Sequence, residues 1–268
     1  MLSWRLLLAT GKSRYADLIE RILHNAFLAG LSAERGPDLL RLLASVQHYV
    51  AVSVPDGLVL HQYLTGGYAV DTTHGPVSVL VHTDYPWHGS IRIQIGQSID
   101  RDWTLALRIP AWAADYRVFI DDEPVGPRSP DGWLRLCRRW WIGDTVRLEL
   151  DLPPRLTEAS PRLATARGCL AIERGPLVYC LDSAGDEVDL DDVLLDPAAG
   201  LSTVERDGQV LVRASGRERL DTHSDPWWPY RAPAERVVLG PTVELTAVAY
   251  YTWGNKEGGG TRVWLPRI

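Results

Sequence analysis

The stretch SIRIQIGQSI, residues 90–99, alternates isoleucine at three positions with polar side chains. Successive side chains of a β-strand point to opposite faces, so a period of two predicts a strand with one buried and one wet face. WTLALRIPAW (103–112) and TVRLELDLP (145–153) repeat the pattern. Scattered arginines occupy many of the outward positions of such strands, and we interpret them as solvated.

Turn sequences recur between these strands, as in Asp121-Asp122, Pro130-Asp131-Gly132 and Gly143-Asp144. A spacing of roughly ten residues between turns is typical of an antiparallel sandwich rather than of parallel βαβ units. Pro153-Pro154 closes this module, and a second β-rich segment follows it. The sequence therefore predicts a mainly β protein with two antiparallel β-sandwich modules.

Residues 3–51 have a helical period instead. Ser13 is a candidate N-cap of a first amphipathic helix, Gly30 a candidate stop, and Pro37 suits the first turn of a second helix. Each helix carries an apolar stripe that needs a partner. These stripes are formed by Tyr15, Leu18, Ile19, Ile22, Leu23, Ala26 and Phe27, and by Leu39, Leu40, Leu42, Leu43, Val46 and Val50.

Composition excludes several classes of protein. The 268 residues are 46% hydrophobic and 23% charged, which is typical of a globular chain. A net charge of −6 argues against binding to nucleic acid or to an anionic membrane surface, because both require clustered positive charge. We also find neither an apolar run of membrane-spanning length nor a signal-peptide cleavage pattern. Three cysteines, Cys137, Cys169 and Cys180, are too few for a disulfide framework, and we interpret them as buried apolar residues of a cytoplasmic protein.

Motifs for catalysis are not evident. Glycoside hydrolysis commonly uses two carboxylates, but the spacing of Glu20, Asp56, Asp84 and Glu173 selects no pair. For Glu173 a structural ion pair with Arg174 or a neighbouring arginine is the favoured interpretation. The seven histidines show no metal-ligand spacing, and the acidic segment 182–200 lacks the calcium-loop pattern. We therefore predict no metal site and no catalytic residue.

The eleven tryptophans allow one functional interpretation. Exposed aromatic rings stack on the C–H faces of sugars, and the loop-like sequence DPWWPY makes Trp227, Trp228 and Tyr230 candidate carbohydrate-binding residues. The alternative is that Trp140-Trp141 and Trp227-Trp228 fill the core and the seams between domains.

Several longer phrases resemble, in the same order, the C-terminal half of the β-L-arabinofuranosidase family, glycoside hydrolase family 127. They are WRLLLATGKSRYADLIERILHNAFLAG (4–30), RLLASV (41–46), DGLVLHQYL (56–64), TDYPWHGSIRI (83–93), LALRIPAWA (105–113), ERGPLVYCL (173–181) and YYTWGNKEGGGTRVWLP (250–266). The resemblance implies an (α/α)6 barrel followed by two β-sandwiches. On that basis 1–54 would be a helical remnant of the barrel, 55–152 the first sandwich and 153–268 the second.

The resemblance also implies an unusual chemistry in complete members of the family. There, a zinc-bound cysteine thiolate is the nucleophile and a glutamate the acid/base, with zinc held by a Glu-x-Cys element and a Cys-Cys pair. In this chain Glu34 and Arg35 align with the Cys-Cys pair, and the Glu-x-Cys element is absent. We therefore expect no zinc in this chain.

The sequence thus predicts a truncated, inactive C-terminal part of a glycoside hydrolase that acts on β-L-arabinofuranosides. The alternative is a non-catalytic carbohydrate-binding or structural protein. Its expected partners are a glycan or a separately encoded barrel half, and neither a nucleic acid nor a membrane.

Overall fold

The chain divides after Pro153 into two units, Met1–Pro153 and Pro154–Ile268. The computed structural model describes residues 2–30, 45–126, 129–182, 189–220, 237–253 and 260–268.

The first unit begins with helices. Helix α1 spans Leu2–Thr10 and α2 spans Ser13–Arg21, which continues directly into a π-helix, Ile22–Phe27; a 3-10 helix, Val46–Tyr49, follows later. Ser13 is not the N-cap that the sequence predicts, because its hydroxyl donates a 3.0 Å hydrogen bond to the carbonyl of Asp131 and Lys12 occupies the cap position. None of the described helices is both long and apolar enough to cross a membrane.

The buried side of these helices packs on the first sandwich. Their buried apolar side chains form one cluster that includes Trp133, and the indole of Trp133 donates a 2.8 Å hydrogen bond to the carbonyl of Gly11. The helical members of the cluster are Leu7, Ala16, Ile19, Leu23 and Phe27. Only part of the predicted first stripe is therefore buried, since Leu18 and Ile22 remain 45% and 39% exposed.

Ten strands of the first unit build two sheets in the described part of the chain. The four-stranded sheet has the order β1-β2-β6-β9, and the six-stranded sheet has the order β3-β4-β5-β10-β7-β8. The strands are β1 Ala51–Val54, β2 Gly57–Leu60, β3 Gly66–Thr72, β4 Gly75–Thr83, β5 Ser90–Gln97, β6 Asp102–Arg108, β7 Tyr116–Ile120, β8 Glu123–Val125, β9 Trp133–Arg139 and β10 Thr145–Leu150. Their pairing is antiparallel, as predicted, except that β2 and β6 run parallel.

The core of this sandwich follows the predicted alternation. Ile91, Ile93 and Ile95 of β5 are at most 1% exposed, and they share one cluster with Leu105 of β6 and Leu148 of β10. Trp103 of β6 and Trp140, directly after β9, lie in the same cluster, so the four-stranded sheet contributes aromatic side chains to it.

The predicted turns connect these strands. Asp121 and Asp122 adopt positive φ angles between β7 and β8. Gly132, before β9, has a φ of 80°, and Gly143, before β10, has a φ of 99°. Such angles suit Asp, Asn and Gly at tight turns.

The described strands of the second unit form a single hydrogen-bonded sheet with antiparallel pairs. Its main path is β11-β12-β13-β17-β16-β14, and β15, β18 and β19 pair with members of that path. The strands are β11 Pro154–Glu158, β12 Cys169–Arg174, β13 Leu177–Asp182, β14 Val193–Leu195, β15 Ser202–Arg206, β16 Gln209–Arg219, β17 Leu239–Ala249, β18 Thr261–Arg262 and β19 Leu265–Pro266. A 3-10 helix, Ala164–Ala166, and a short helix α3, Tyr250–Trp253, complete the unit.

Candidate functional site

A buried cluster of charged side chains joins α2 to the first sandwich. Arg108, the last residue of β6, is 0% exposed, and Glu20 of α2 is 1% exposed. Lone charges are seldom buried so completely, because they lose their hydration; a paired and hydrogen-bonded charge is the exception. Full burial of both charges makes this cluster a candidate functional site.

Glu20 accepts hydrogen bonds on both carboxylate oxygens. Arg108 bonds to both oxygens, with the longer Nη1 to Oε2 contact at 3.3 Å. The Tyr85 hydroxyl donates to Oε1 at 2.5 Å, and the Trp112 indole donates to Oε2 at 3.1 Å. Four donors thus converge on one carboxylate, which is close to its full capacity as an acceptor.

Arg108 extends the network beyond Glu20. Its Nη1 also donates to Asp17 of α2 at 2.6 Å, and its Nε donates to the His61 carbonyl at 2.6 Å. Tyr63 donates its hydroxyl to the Arg108 carbonyl. Beside the cluster, the Gln62 side chain donates to the Ala16 carbonyl at 2.9 Å, which adds another link between the sandwich and α2.

Local structure places each group at this point. Asp17 and Glu20 are three residues apart and therefore lie on one face of α2. Tyr85 belongs to a turn with a cis peptide bond before Pro86, and its ring stacks on Trp112 with centroids 6.4 Å apart. The π-helix brings His24 to within 5.6 Å of the Tyr85 ring, edge to face.

Burial and charge fix the protonation states of the cluster. Burial opposes ionisation of Glu20, but the charge of Arg108 and the hydrogen bonds from Arg108 and Tyr85 together lower its pKa. Burial is the stronger influence on Asp17, whose pKa is raised despite its contact with Arg108. Burial also lowers the pKa of His24, so at neutral pH the imidazole is neutral while Glu20 and Arg108 are charged.

These properties decide what the cluster can do chemically. A general acid needs a proton to give, and a nucleophilic carboxylate needs an oxygen open to the substrate. Glu20 has neither, since its pKa is lowered and both of its oxygens are engaged. We conclude that the Glu20–Arg108 cluster holds the helices on the sandwich.

The other candidate acids lie apart from this cluster. Glu173 forms a 2.7 Å ion pair with Arg155, its partner across β11 and β12, which confirms a structural pair with a neighbouring arginine. Asp56 is 80% exposed and lies 3.8 Å from His74, and the carbonyl of Asp84 closes the turn at Trp87.

The cysteines do not form a metal site. Cys137 lies exposed on β9, Cys169 half-buried on β12 and Cys180 buried on β13, so the prediction of buried cysteines is wrong for Cys137. Within the described ranges no three His, Cys, Asp or Glu side chains are grouped as metal ligands. The described residues therefore do not supply the ligand set of the zinc centre that the family resemblance implies.

The predicted carbohydrate-binding residues Trp227, Trp228 and Tyr230 lie outside the described residues, as do Glu34 and Arg35. Of the other tryptophan pair, Trp140 is buried as expected. Trp141 is 58% exposed, so the expectation that it fills a core is wrong. It lies at the turn before β10, beneath the guanidinium of Arg139 at 5.1 Å.

Sequence reasoning missed Arg108, Tyr85 and Trp112. Alternation along β6 assigns Arg108 to the outward face, where an arginine is predicted to be solvated. The signal lay in its neighbours on that face, Thr104 and Ala106, which are small and uncharged. A strand face with small residues and a single arginine indicates that another element covers it.

Models of two domains of one family match strands β2 to β10 of the first unit and nearly the whole of the second unit. The domain described as "Beta-L-arabinofuranosidase, GH127 middle domain" matches residues 57–152, and "Glycoside hydrolase family 127 C-terminal domain" matches residues 154–266.

Known proteins agree with this match. The non-reducing end β-L-arabinofuranosidase of Bifidobacterium longum subsp. longum is 27% identical over 96% of this chain and 46% of its own length. A solved structure described as a GH127 β-L-arabinofuranosidase from Geobacillus stearothermophilus T6 has the same fold, with a TM-score of 0.88 at 24% identity over 99% of this chain and 48% of its own. Another, described as a glycoside hydrolase, gives 0.84 at 27% identity over 99% of this chain and 50% of its own.

The chain thus spans about half the length of the relatives that it matches. Matches to both the middle and the C-terminal domain, in the expected order, show that the chain belongs to glycoside hydrolase family 127.

Proposed function

We propose that residues 1–268 form the non-hydrolytic half of a glycoside hydrolase that acts on β-L-arabinofuranosides. In this proposal 1–54 is the end of a helical barrel, 55–152 the middle sandwich and 153–268 the C-terminal sandwich. The remaining barrel helices come from outside residues 1–268, on the same polypeptide or on a separate one. The names of the relatives support the substrate class.

One observation carries the proposal: the helices of the first unit are apolar on two sides. One side is fixed to the sandwich through the Glu20–Arg108 cluster and Trp133. The other side leaves Leu18 of α2 45% exposed, and Ile22, one turn further along, is 39% exposed. Apolar side chains on a second helix side are expected where another layer of helices packs.

The chemistry of the described residues supports a non-hydrolytic role. The thiols lie on separate strands, and the buried Glu20 is occupied by four donors. A complete enzyme would therefore obtain its zinc-binding cysteines and its acid/base from the barrel. The chain contributes the support on which the last barrel helices rest.

The first experiment tests the exposed helix side. We expect the purified chain to self-associate or to bind a hydrophobic dye, because no other described helix packs on this side. The double variant Leu18→Glu, Ile22→Glu should be monomeric and dye-silent. Leu80→Glu is the matched control, since Leu80 is 53% exposed on β4 of the sandwich and should leave association unchanged. A wild-type chain that is already a dye-silent monomer would overturn the proposal.

The second experiment tests hydrolysis itself. The chain alone should release no chromophore from 4-nitrophenyl β-L-arabinofuranoside and should carry no stoichiometric zinc by elemental analysis. Release of the chromophore by the chain alone, or tight one-to-one zinc, would contradict a non-hydrolytic role.

A non-catalytic carbohydrate-binding protein is the second candidate function. Exposed Trp141 shows that this chain does present an indole to its surroundings, which favours stacking on a sugar. For the predicted residues, we expect Trp227→Ala, Trp228→Ala to weaken retention on an arabinan affinity gel, with Tyr230→Phe as the milder variant. Equal retention of the double variant and the wild type would exclude Trp227 and Trp228 as sugar-binding residues.

We place the protein in the cytoplasm. No disulfide joins its three cysteines, and Cys137 is exposed, as suits a reducing compartment. Fractionation of the source cells, with immunodetection of the chain, tests this assignment.

A further inference from the structure

The exposed charges of α1, α2 and the π-helix all have the same sign. Between residues 2 and 30 the sequence contains four arginine or lysine side chains and two carboxylates. The four cations are exposed, and they are Arg5, Lys12, Arg14 and Arg21. Because the chain as a whole has a net charge of −6, this helical surface is a local exception to an acidic composition.

The two carboxylates of the helices do not balance the exposed cations. Nη1 of Arg108 lies 2.6 Å from Asp17, and Glu20 is 1% exposed against the same guanidinium. Both acids therefore face the sandwich, where they compensate its buried arginine. The outward surface of the helices keeps its positive charge.

Three of the cations have no acidic partner within the described part of the chain. Arg14 donates at 2.9 Å to the neutral hydroxyl of Tyr15 and lies 4.8 Å from the centre of that ring, and neither contact compensates its charge. No described carboxylate lies within ion-pair distance of Arg5, Lys12 or Arg14. These side chains can therefore pair with carboxylates of another element.

The outward side of α2 combines this charge with apolar surface. Arg14, Leu18 and Ile22 follow one another at four-residue spacing, so they share one side of the helix. Leu18 is 45% exposed and Ile22 is 39% exposed. Lys12, directly before α2, adds a second cation at the same end of the helix as Arg14. A helix that packs on the two apolar side chains thus brings the edges of its own apolar stripe close to these cations.

Charge complementarity selects the occupant of this side. Two copies of the chain that met here across a two-fold axis would bring like charges together. An anionic membrane would attract the cations, but it would repel a chain whose net charge is −6. A helix with an apolar stripe and acidic edges suits both the apolar side chains and the cations.

We propose that the outward side of α2 docks an amphipathic helix whose apolar stripe is bordered by aspartate and glutamate. This inference rests on the proposed function, since that helix would belong to the part of the barrel outside residues 1–268. It adds the chemistry of the partner surface. The apolar contact supplies the binding, and the acidic borders select the correct helix.

Three synthetic peptides of about 20 residues, long enough to be helical in water, test this proposal. They share one leucine stripe at helical spacing and carry glutamate, glutamine or lysine along its edges. Fluorescence anisotropy with the full chain should show that the glutamate peptide binds about tenfold more tightly than the lysine peptide. Raising the salt from about 0.01 to 0.15 M shortens the Debye length from about 30 to 8 Å and should reduce this preference.

Charge reversal locates the preference on the molecule. Lys12→Glu, Arg14→Glu should make the lysine peptide the tighter binder. Arg92→Glu, Arg101→Glu is the matched control, because both arginines are exposed on the sandwich without a described ion pair and the change in net charge is the same. This control should leave the order of the peptides unchanged. An equal effect of both double variants would show that the charge of the whole chain decides the order, and would overturn the proposal.

The outcomes also separate this inference from the proposed function. Equal affinity for the three peptides, or no binding, would overturn the acidic partner alone if the wild-type chain still associates or binds dye through Leu18 and Ile22. A dye-silent monomeric wild type would overturn the proposed function whatever the peptides do. Binding to phosphatidylserine vesicles without binding to the glutamate peptide would assign the side to a membrane and would also overturn the inference.

Discussion

At the scale of the residue, we expect the loss of the Arg108 side chain to reduce folding stability most. Arg108→Met removes the cation while Glu20 stays buried, so we expect the free energy of unfolding to fall by about 3–5 kcal/mol. Urea denaturation measures the loss. Arg117→Met is the control, because Arg117 is 77% exposed in its pair with Glu149 and should cost no more than about 1 kcal/mol. Equal losses of stability in the two variants would show that the buried cluster stabilises the fold no more than an exposed ion pair does.

His61 should make the first unit sensitive to acid. Its pKa is lowered from 6.5 to about 4. Between these two pH values the unfolded chain therefore binds a proton at His61 and the folded chain does not. The stabilisation is complete above pH 6.5 and is lost as the pH falls toward 4, at up to about 1.4 kcal/mol per pH unit. His61→Phe should flatten this part of the stability profile.

The control for that prediction is His82→Phe, since His82 is exposed on β4. It should retain the acid sensitivity of the wild type in urea denaturation at pH 7, 6 and 5. A profile for His61→Phe as steep as that of the wild type would contradict the assignment.

At the scale of the element, the contact between α2 and the turn before β9 is tight. A Cβ at Gly132 would lie 2.3 Å from the Ser13 hydroxyl oxygen, and φ there is 80°. Gly11→Ala is the matched comparison, because φ is 65° and nothing lies within 4 Å. We expect Gly11→Ala to lower the free energy of unfolding by about 1 kcal/mol through backbone strain. Gly132→Ala should lower it by about 1–3 kcal/mol more, because the added Cβ overpacks the contact.

Adding Ser13→Gly to Gly132→Ala should restore most of the stability that Gly132→Ala loses beyond the loss in Gly11→Ala. Chemical denaturation measures this difference. If the double variant is no more stable than Gly132→Ala alone, the strain lies in the turn and not in the helix contact.

Local periodicity explains which elements could be predicted. The strands around Ile91 and Leu148 and the helix from Ser13 follow from patterns within about ten residues, and the structure contains them. The parallel pairing of β2 with β6 could not be predicted, because pairing depends on distant parts of the chain. The same holds for the cluster, since Glu20 and Arg108 are 88 residues apart and alternation alone assigns Arg108 to solvent.

At the scale of the whole molecule, we expect each unit to unfold separately. Calorimetry should resolve two transitions, with Arg108→Met lowering only one. Tyr179→Phe should lower the other, because the Tyr179 hydroxyl donates a 2.8 Å bond to Val210 inside the second unit. Its loss costs about 1–1.5 kcal/mol. A single transition that both variants shift would contradict separate unfolding.

The distance along the chain between α2 and Arg108 has a consequence for synthesis. Asp17 and Glu20 leave the ribosome 91 and 88 residues before the arginine that neutralises them. At roughly 5–20 residues per second, that interval is on the order of 5–20 seconds. Throughout it the nascent α2 has two acidic side chains without their cation and an apolar side without its sandwich. Chaperones that bind unfolded chains would therefore bind the nascent α2. Slow codons between positions 20 and 108 would lengthen the time for which its apolar side is exposed.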